Sequence, residues 1–136
     1  MTTNDLTAFL HEKMPLCATL GMKAEKMAVD EVILTLDWTP ALCTSAGMLH
    51  GGVIMALADS AGGAAAFANL PEGATGTSTI ESKTNFLGAV REGEVTASAR
   101  PLHVGGSTIV IETEIRNKGK LVGKVTQTQT VLRPRG

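Results

Sequence analysis

The distribution of apolar and polar residues predicts one long helix at the centre of the fold. Residues 49–69, LHGGVIMALADSAGGAAAFAN, are almost entirely apolar over a length typical of a helix. Because no face of such a helix can be given to water, we predict that it lies in the interior. Asp59 is the only ionisable residue between His50 and Glu72, so a carboxylate is expected in the core. A buried charge must be paired, neutralised or functional, and such carboxylates gather at functional sites.

The rest of the chain shows the periodicity of one short helix and six strands. Asn4 is predicted to cap a helix over residues 5–14, which Pro15 ends. Strands are predicted over residues 22–27 and 31–38 before the central helix and, as a meander, over residues 75–87, 94–102, 107–116 and 121–132 after it. We therefore predict a single α+β domain over residues 1–136, in which one sheet wraps one helix.

Strand alternation also assigns side chains to the two faces of the sheet. In the strand over residues 75–87, the side chains expected to face the helix are Ile80, Ser82, Thr84 and Phe86. In the strand over residues 107–116, the inward side chains are expected to be Ile109, Ile111, Thr113 and Ile115. The acidic and basic residues of that strand fall on the other face, towards solvent.

Composition excludes several classes of function. The formal net charge is −1, and the only aromatic residues are three Phe and one Trp, so no nucleic-acid partner is expected. The N-terminal residues show no basic start followed by an apolar run, and no segment reaches the ~20 apolar residues that span a bilayer. We expect a soluble cytoplasmic protein with no membrane partner. Cys17 and Cys43 lack metal-ligand spacing, so reduced thiols and no metal are predicted.

The start of the central helix is a candidate ligand site. His50, Gly51 and Gly52 place unpaired backbone N–H groups at a helix N-terminus, which favours an anion or an oxygen that develops negative charge. A glycine there lets a carbonyl group approach the backbone closely. Asp59 lies eight residues further on, about 12 Å along the same helix at ~1.5 Å per residue. Two antiparallel copies of the helix across a two-fold axis would bring Gly51 of one near Asp59 of the other, so this spacing predicts a homodimer.

The run Gly47-Met48-Leu49-His50-Gly51-Gly52, followed by Leu57-Ala58-Asp59, resembles the hotdog-fold acyl-CoA thioesterases of the PaaI-like, phenylacetate-pathway type. The resemblance extends from Leu20 to the C-terminal strand. It implies a long helix wrapped by a curved antiparallel sheet of five to six strands, with a short N-terminal helix. It also implies subunits joined edge to edge into homodimers with shared active sites, which can pair into tetramers.

The resemblance assigns roles to individual residues. Asp59 corresponds to the general base or nucleophile, and the N–H of Gly51 corresponds to the donor that polarises the thioester carbonyl. The substrate is then an acyl- or aryl-CoA thioester, and no cofactor is needed because coenzyme A is part of the substrate. Among hydroxyls able to donate a hydrogen bond to Asp59, namely Thr79, Ser82 and Thr44, the resemblance favours Thr79.

Two positions depart from the family pattern. Thr44 stands where the family often has Asn, and the turn over residues 103–107 lacks the arginines that relatives often carry there. Coenzyme A phosphates would need other cations, and Arg91, Arg100 and Arg116 are candidates among which nothing in the sequence chooses. Whether the acyl group is aromatic or aliphatic is left open.

Other interpretations compete with hydrolysis. Asp59 could be a structural acid satisfied by backbone or hydroxyl donors, and the ring of His50 is expected to order the loop rather than to transfer a proton. A noncatalytic acyl-CoA binding module would keep the helix start but would not need Asp59. A hotdog dehydratase or hydratase would need a His working with an acid, and no such His lies near Asp59 in the sequence.

Overall fold

The computed structural model of the protein describes residues 1–135. Two short helices precede a six-stranded sheet, and one long helix packs on that sheet. The helices are α1 (Thr3–Lys13), α2 (Pro15–Leu20) and α3 (Gly51–Ala68). The strands are β1 (Lys23–Met27), β2 (Val32–Asp37), β3 (Gly76–Phe86), β4 (Glu94–Val104), β5 (Thr108–Asn117) and β6 (Lys120–Leu132). The structure confirms the α+β hotdog arrangement of one sheet around one long helix.

The strands are all antiparallel, in the order β1-β2-β4-β5-β6-β3. The predicted four-strand meander is therefore wrong in one respect, because β3 pairs with β6 and not with β4. The 18 residues of α3 carry the chain about 27 Å across the sheet, so β3 starts at the far edge. The chain then returns, and β4 pairs with β2.

The inner face of the sheet forms the core with α3. Four alternate side chains of β5 are fully buried there, as the alternation predicted: Ile109, Ile111, Thr113 and Ile115. Leu34 and Leu36 of β2 and Leu57 of α3 are equally buried. Burial of each Leu or Ile side chain contributes about 1.5–3 kcal/mol relative to leaving it exposed, and this packing holds a helix that is rich in Gly and Ala.

The structure corrects two details of the helix predicted at the N-terminus. Thr2, not Asn4, caps α1: the N–H of Asp5 donates to Thr2 Oγ1 (3.2 Å), and the N–H of Thr2 donates to Asp5 Oδ2 (3.0 Å). This reciprocal pair satisfies two N–H groups that the helix leaves free, which a single cap does not. Pro15 ends α1 as expected but also begins α2, since a proline fits the first turn of a helix.

One stripe along α3 is open, which contradicts the prediction of a helix buried all round. Gly52, Met55, Asp59 and Phe67 are exposed, and Met55 and Phe67 show 41% and 61% of their surface. The sheet covers one side of the helix, and the chain has no element that covers this stripe within residues 1–135. Asp59 is therefore not the buried carboxylate that the apolar run predicted. By length and composition α3 passes as a membrane-crossing helix, but half of it is buried, as in a core helix.

A β-bulge in β3 changes which side chains face α3. The pairing with β6 shifts between Thr79 and Glu81, so Thr79 and Ser82 both lie opposite inward residues of β6, Gln129 and Gln127. Simple alternation had placed Ile80 on the helix side, whereas Ile80 is 62% exposed. An extra residue in one strand reverses the faces beyond it, and this bulge is what brings Thr79 to the helix.

Candidate active site

Asp59 and Thr79 meet at the open side of α3. The hydroxyl of Thr79 donates to Asp59 Oδ1 at 3.4 Å, and Nε2 of Gln127 donates to the same oxygen at 3.4 Å. Within residues 1–135, Oδ2 of Asp59 has no hydrogen-bond partner. The carboxylate is therefore held through one oxygen and leaves the other available.

Two buried glutamines of β6, Gln127 and Gln129, belong to this cluster and were missed in the sequence. Gln129 Nε2 donates to Thr79 Oγ1 at 2.6 Å, and Thr77 Oγ1 donates to Gln129 Oε1 at 3.1 Å. Because Thr79 accepts from Gln129, its own hydroxyl proton is directed at Asp59. Strand alternation could have indicated them, because both glutamines lie on the same face of β6 as the buried Val125.

Gly62 allows one of these glutamines to reach Asp59. A Cβ at Gly62 would lie 2.0 Å from Oε1 and 2.4 Å from Cδ of Gln127, far inside any real contact. Gly62 follows Asp59 by three residues and so lies on the same side of α3. Because Gly62 has no side chain, the Gln127 amide has room beside the Asp59 carboxylate.

His50 caps the start of α3. Its Nδ1 accepts a hydrogen bond from the N–H of Gly52 at 2.8 Å, a contact within the first turn of the helix; a role of the ring in ordering the loop stays a prediction. The N–H of Gly51 meets no backbone acceptor within residues 1–135. A Cβ at Gly51 would lie 3.2 Å from the ring of Phe86, so β3 packs closely on the helix start. Within the described residues, the backbone N–H of Gly51 is therefore a free hydrogen-bond donor close to the ring of Phe86.

The loop before α3 is ordered by backbone contacts. The N–H of Thr44 donates to the carbonyl of Met48 at 2.8 Å, while its exposed hydroxyl makes no hydrogen bond within the described chain. Trp38 Nε1 donates to the carbonyl of Gly47, and Arg91 donates to the carbonyl of Ala46, each at 3.0 Å. Thr44 is therefore positioned on a fixed loop but is not brought to Asp59 by a contact.

A groove of about 500 Å³ runs between α1, α3 and β3. Its polar wall carries Asp59, Thr77, Thr79 and Gln129, and its other wall is mostly apolar but includes Lys13. The apolar side chains come from both helices and from β1: Phe9, Leu10, Met14, Met27 and Phe67. A groove with one carboxylate cluster and an apolar extension suits a ligand that has a reactive polar centre and an apolar tail.

Other candidate groups lie away from the groove. Arg100 is bound to Glu31 and Arg116 to Glu114, so these two arginines are engaged on the outer face of the sheet. Cys17 and Cys43 are free, and burial raises the pKa of the Cys17 thiol. Within residues 1–135 no cluster of His, Cys, Asp and Glu could hold a metal ion.

Comparison with known proteins identifies the family. The thioesterase superfamily matches residues 46–124, more than half of the chain. A thioesterase from Haemophilus influenzae is 28% identical with a TM-score of 0.87, over 98% of this chain and 92% of that one. A mutant thioesterase from Pseudomonas aeruginosa is 25% identical with a TM-score of 0.85, over 93% of both chains.

A further relative has a more specific name. The 1,4-dihydroxy-2-naphthoyl-CoA hydrolase of Listeria monocytogenes is 33% identical over 107 residues, 77% of this chain and 85% of that one. The chain belongs to the thioesterase superfamily and has its hotdog fold. It is an enzyme that hydrolyses thioesters.

Proposed function

We propose that the protein hydrolyses an acyl- or aryl-CoA thioester to the free acid and coenzyme A. The observation that carries this proposal is the Asp59–Thr79 pair, which opens onto a groove with an apolar extension. The acyl group would lie in that extension, with the thioester carbonyl beside Asp59. The relative named as a CoA thioester hydrolase supports coenzyme A as the thiol.

In the proposed reaction Asp59 acts as general base or as nucleophile. As a base it takes a proton from water, whose oxygen bonds to the acyl carbon while the C–S bond breaks and the thiolate of coenzyme A leaves. As a nucleophile its oxygen bonds to the acyl carbon first while the C–S bond breaks and the thiolate of coenzyme A leaves. Water then hydrolyses the mixed anhydride to the free acid and the Asp59 carboxylate, and the released proton goes to the thiolate. In both routes the N–H of Gly51 donates to the oxyanion, a contribution on the order of 10²–10³ in kcat.

The active unit is proposed to be a homodimer with shared sites. Gly51 and Asp59 are about 12 Å apart along one helix, too far for one carbonyl to touch both. The open stripe of α3 and the edge strand β3, which has β6 on one side only, are surfaces that a second copy could cover. Pairing of dimers into tetramers, the PaaI-like type and the cytoplasmic location stay predictions.

A hydrolysis screen tests this proposal. Purified protein is incubated with phenylacetyl-, benzoyl-, acetyl-, hexanoyl- and palmitoyl-CoA, and released thiol is measured with a thiol reagent. We expect turnover of at least one thioester with an apolar acyl group. Binding of these compounds without thiol release would instead identify a noncatalytic acyl-CoA binding module and would overturn the proposal.

A further inference from the structure

We propose that Gln127 and Gly62 are positioning residues that hold the Asp59 carboxylate through Oδ1, so that Oδ2 is the oxygen that reacts. This inference rests on the proposed function of Asp59. The two residues act by orienting the carboxylate and not by contacting the substrate.

The Gln127 side chain lies beside the Asp59 carboxylate. It is fully buried on the inner face of β6, and its Nε2 donates to Asp59 Oδ1 at 3.4 Å. Rotating the amide by half a turn would set its Oε1 against the carboxylate, an acceptor facing an acceptor. The carboxylate therefore selects the orientation of the amide, and the amide in turn fixes the carboxylate.

The arrangement of Gln127 and Gly62 beside Asp59 lowers the stability of the fold. Gln127 Oε1 is buried without a hydrogen-bond partner in residues 1–135, and a buried acceptor left unsatisfied is unfavourable. Gly62, which makes room for the amide, weakens the middle of a helix relative to Ala. The unsatisfied oxygen of Gln127 and the glycine at position 62 are both locally unfavourable, and both lie beside the Asp59 carboxylate. Such unfavourable features are expected at functional positions.

The hydroxyl of Thr79 makes the other contact on Asp59 Oδ1. Gln129 and Thr77 fix the Thr79 hydroxyl so that it also donates to Oδ1. Both donors from the protein therefore act on the same oxygen. Oδ2 accepts no hydrogen bond within residues 1–135, and Asp59 lines the groove. Its lone pairs can therefore accept a proton from water or attack a carbonyl carbon.

The test uses two variants that disturb the amide by different routes. Gln127→Val removes the donor, and it should fold because Val suits the inner face of a strand and leaves no unsatisfied acceptor. Gly62→Ala keeps the glutamine but pushes its amide away, since the three atoms nearest the new Cβ all belong to Gln127. Thr128→Val, the next residue of β6 and on the opposite face, is the matched control.

The readout is kcat against KM with the best substrate among the five thioesters named above. We expect each of the two variants to lower kcat about tenfold with little change in KM, the lower end for loss of a hydrogen bond to a charged group at this distance. Thr128→Val should match the wild type. Circular dichroism and thermal unfolding establish that all variants are folded.

The double variant makes the test specific. If Gly62→Ala acts through the Gln127 amide, it should cause no further loss of kcat in the Gln127→Val background. An unchanged kcat in Gln127→Val, or an undiminished effect of Gly62→Ala in the double variant, would overturn the inference. Asp59→Asn, measured alongside, separates the two proposals: if it turns over normally, the role of Asp59 itself is wrong, whatever the glutamine does.

Discussion

Two acidic residues, Asp59 and Glu31, lie on opposite sides of the sheet and show what distinguishes a reactive carboxylate from a structural one. Glu31 accepts from Ser98 at 2.6 Å and from Arg100 at 2.8 and 3.1 Å on one oxygen, and from Lys26 at 3.2 Å on the other. Its side chain is only 12% exposed. Asp59, in contrast, has two contacts of 3.4 Å on a single oxygen and no cationic partner within residues 1–135.

The two carboxylates differ in how much of their hydrogen-bond acceptor capacity is already occupied by protein donors. The hydroxyl of Ser98, followed by the cations of Arg100 and Lys26, lowers the pKa of Glu31 to about 2. Both oxygens of the Glu31 carboxylate already accept hydrogen bonds, so any reaction at Glu31 would first have to break these contacts. Asp59 keeps an oxygen free and lies in a groove that can hold a ligand. Free acceptor capacity inside the groove, rather than burial, marks the candidate catalytic acid in this protein.

The largest effect is expected from Asp59→Asn. The amide keeps the size of the side chain and removes the base or nucleophile, and acid–base assistance is typically worth about 10²–10⁴ in rate. We expect a folded protein whose kcat on the best thioester falls by at least about a hundredfold. Glu31→Gln is the matched control and should leave kcat unchanged. Equal losses in the two variants would remove the distinction drawn between the two acids.

Sharing of the site between chains gives the next largest effect. In a mixed dimer of Asp59→Asn with Gly51→Val, one site combines both changes and the other combines the two unchanged residues. We expect each parent to be nearly inactive and the purified mixed dimer, isolated with two different tags, to recover about half of the wild-type activity. Gly51→Val is suitable because any Cβ there meets the ring of Phe86 at 3.2 Å.

The control for this experiment is size-exclusion chromatography of each parent, which must be a dimer before mixing. A mixed dimer that is fully inactive would show that Asp59 and Gly51 of one chain serve the same site. That result would contradict the argument from the ~12 Å spacing along α3.

These regions show which features of the structure could be predicted from the sequence and which could not. The limits of α3, to within two residues, and the inward face of β5 follow from local periodicity, and the structure confirms them. The partner of β3 and its bulge near Ile80 depend on contacts between distant segments, which no local pattern contains. The open side of α3 escaped prediction because an apolar pattern along a helix does not show which of its sides the rest of the chain covers.

Glu31→Gln should lower stability rather than turnover. Loss of the anion weakens the contacts with Arg100 and Lys26, and because both cations are partly exposed we expect a decrease in the free energy of unfolding of about 1–2 kcal/mol near neutral pH. The pKa of Glu31 is lowered on folding from 4.5 to about 2. This stabilisation is therefore fully present above pH 4.5 and is lost as the pH falls through 4.5 towards about 2.

Urea unfolding of the wild type and of Glu31→Gln, near neutral pH and at about pH 3, measures this dependence. The difference between the two proteins should shrink at the lower pH, because Glu31 is then protonated in the unfolded wild type but still ionised in the folded one, so that folding must release a proton. A difference that stays constant or grows towards low pH would show that Glu31 contributes through packing rather than through its charge.

The smallest effect is expected at Thr44, where the chain departs from the family pattern. Its hydroxyl offers one donor, whereas an Asn amide offers two with a longer reach, and in the structure the hydroxyl makes no hydrogen bond within residues 1–135. Any bond it makes to the thioester carbonyl or to the attacking water is therefore a single neutral one. Thr44→Val keeps the shape and should lower kcat/KM by about 0.5–1.5 kcal/mol, roughly three- to tenfold. If this variant instead lost activity as completely as Asp59→Asn in a folded dimer, Thr44 would have to be placed with Asp59 among the residues that perform the chemistry, and free acceptor capacity at one carboxylate would no longer account for the site.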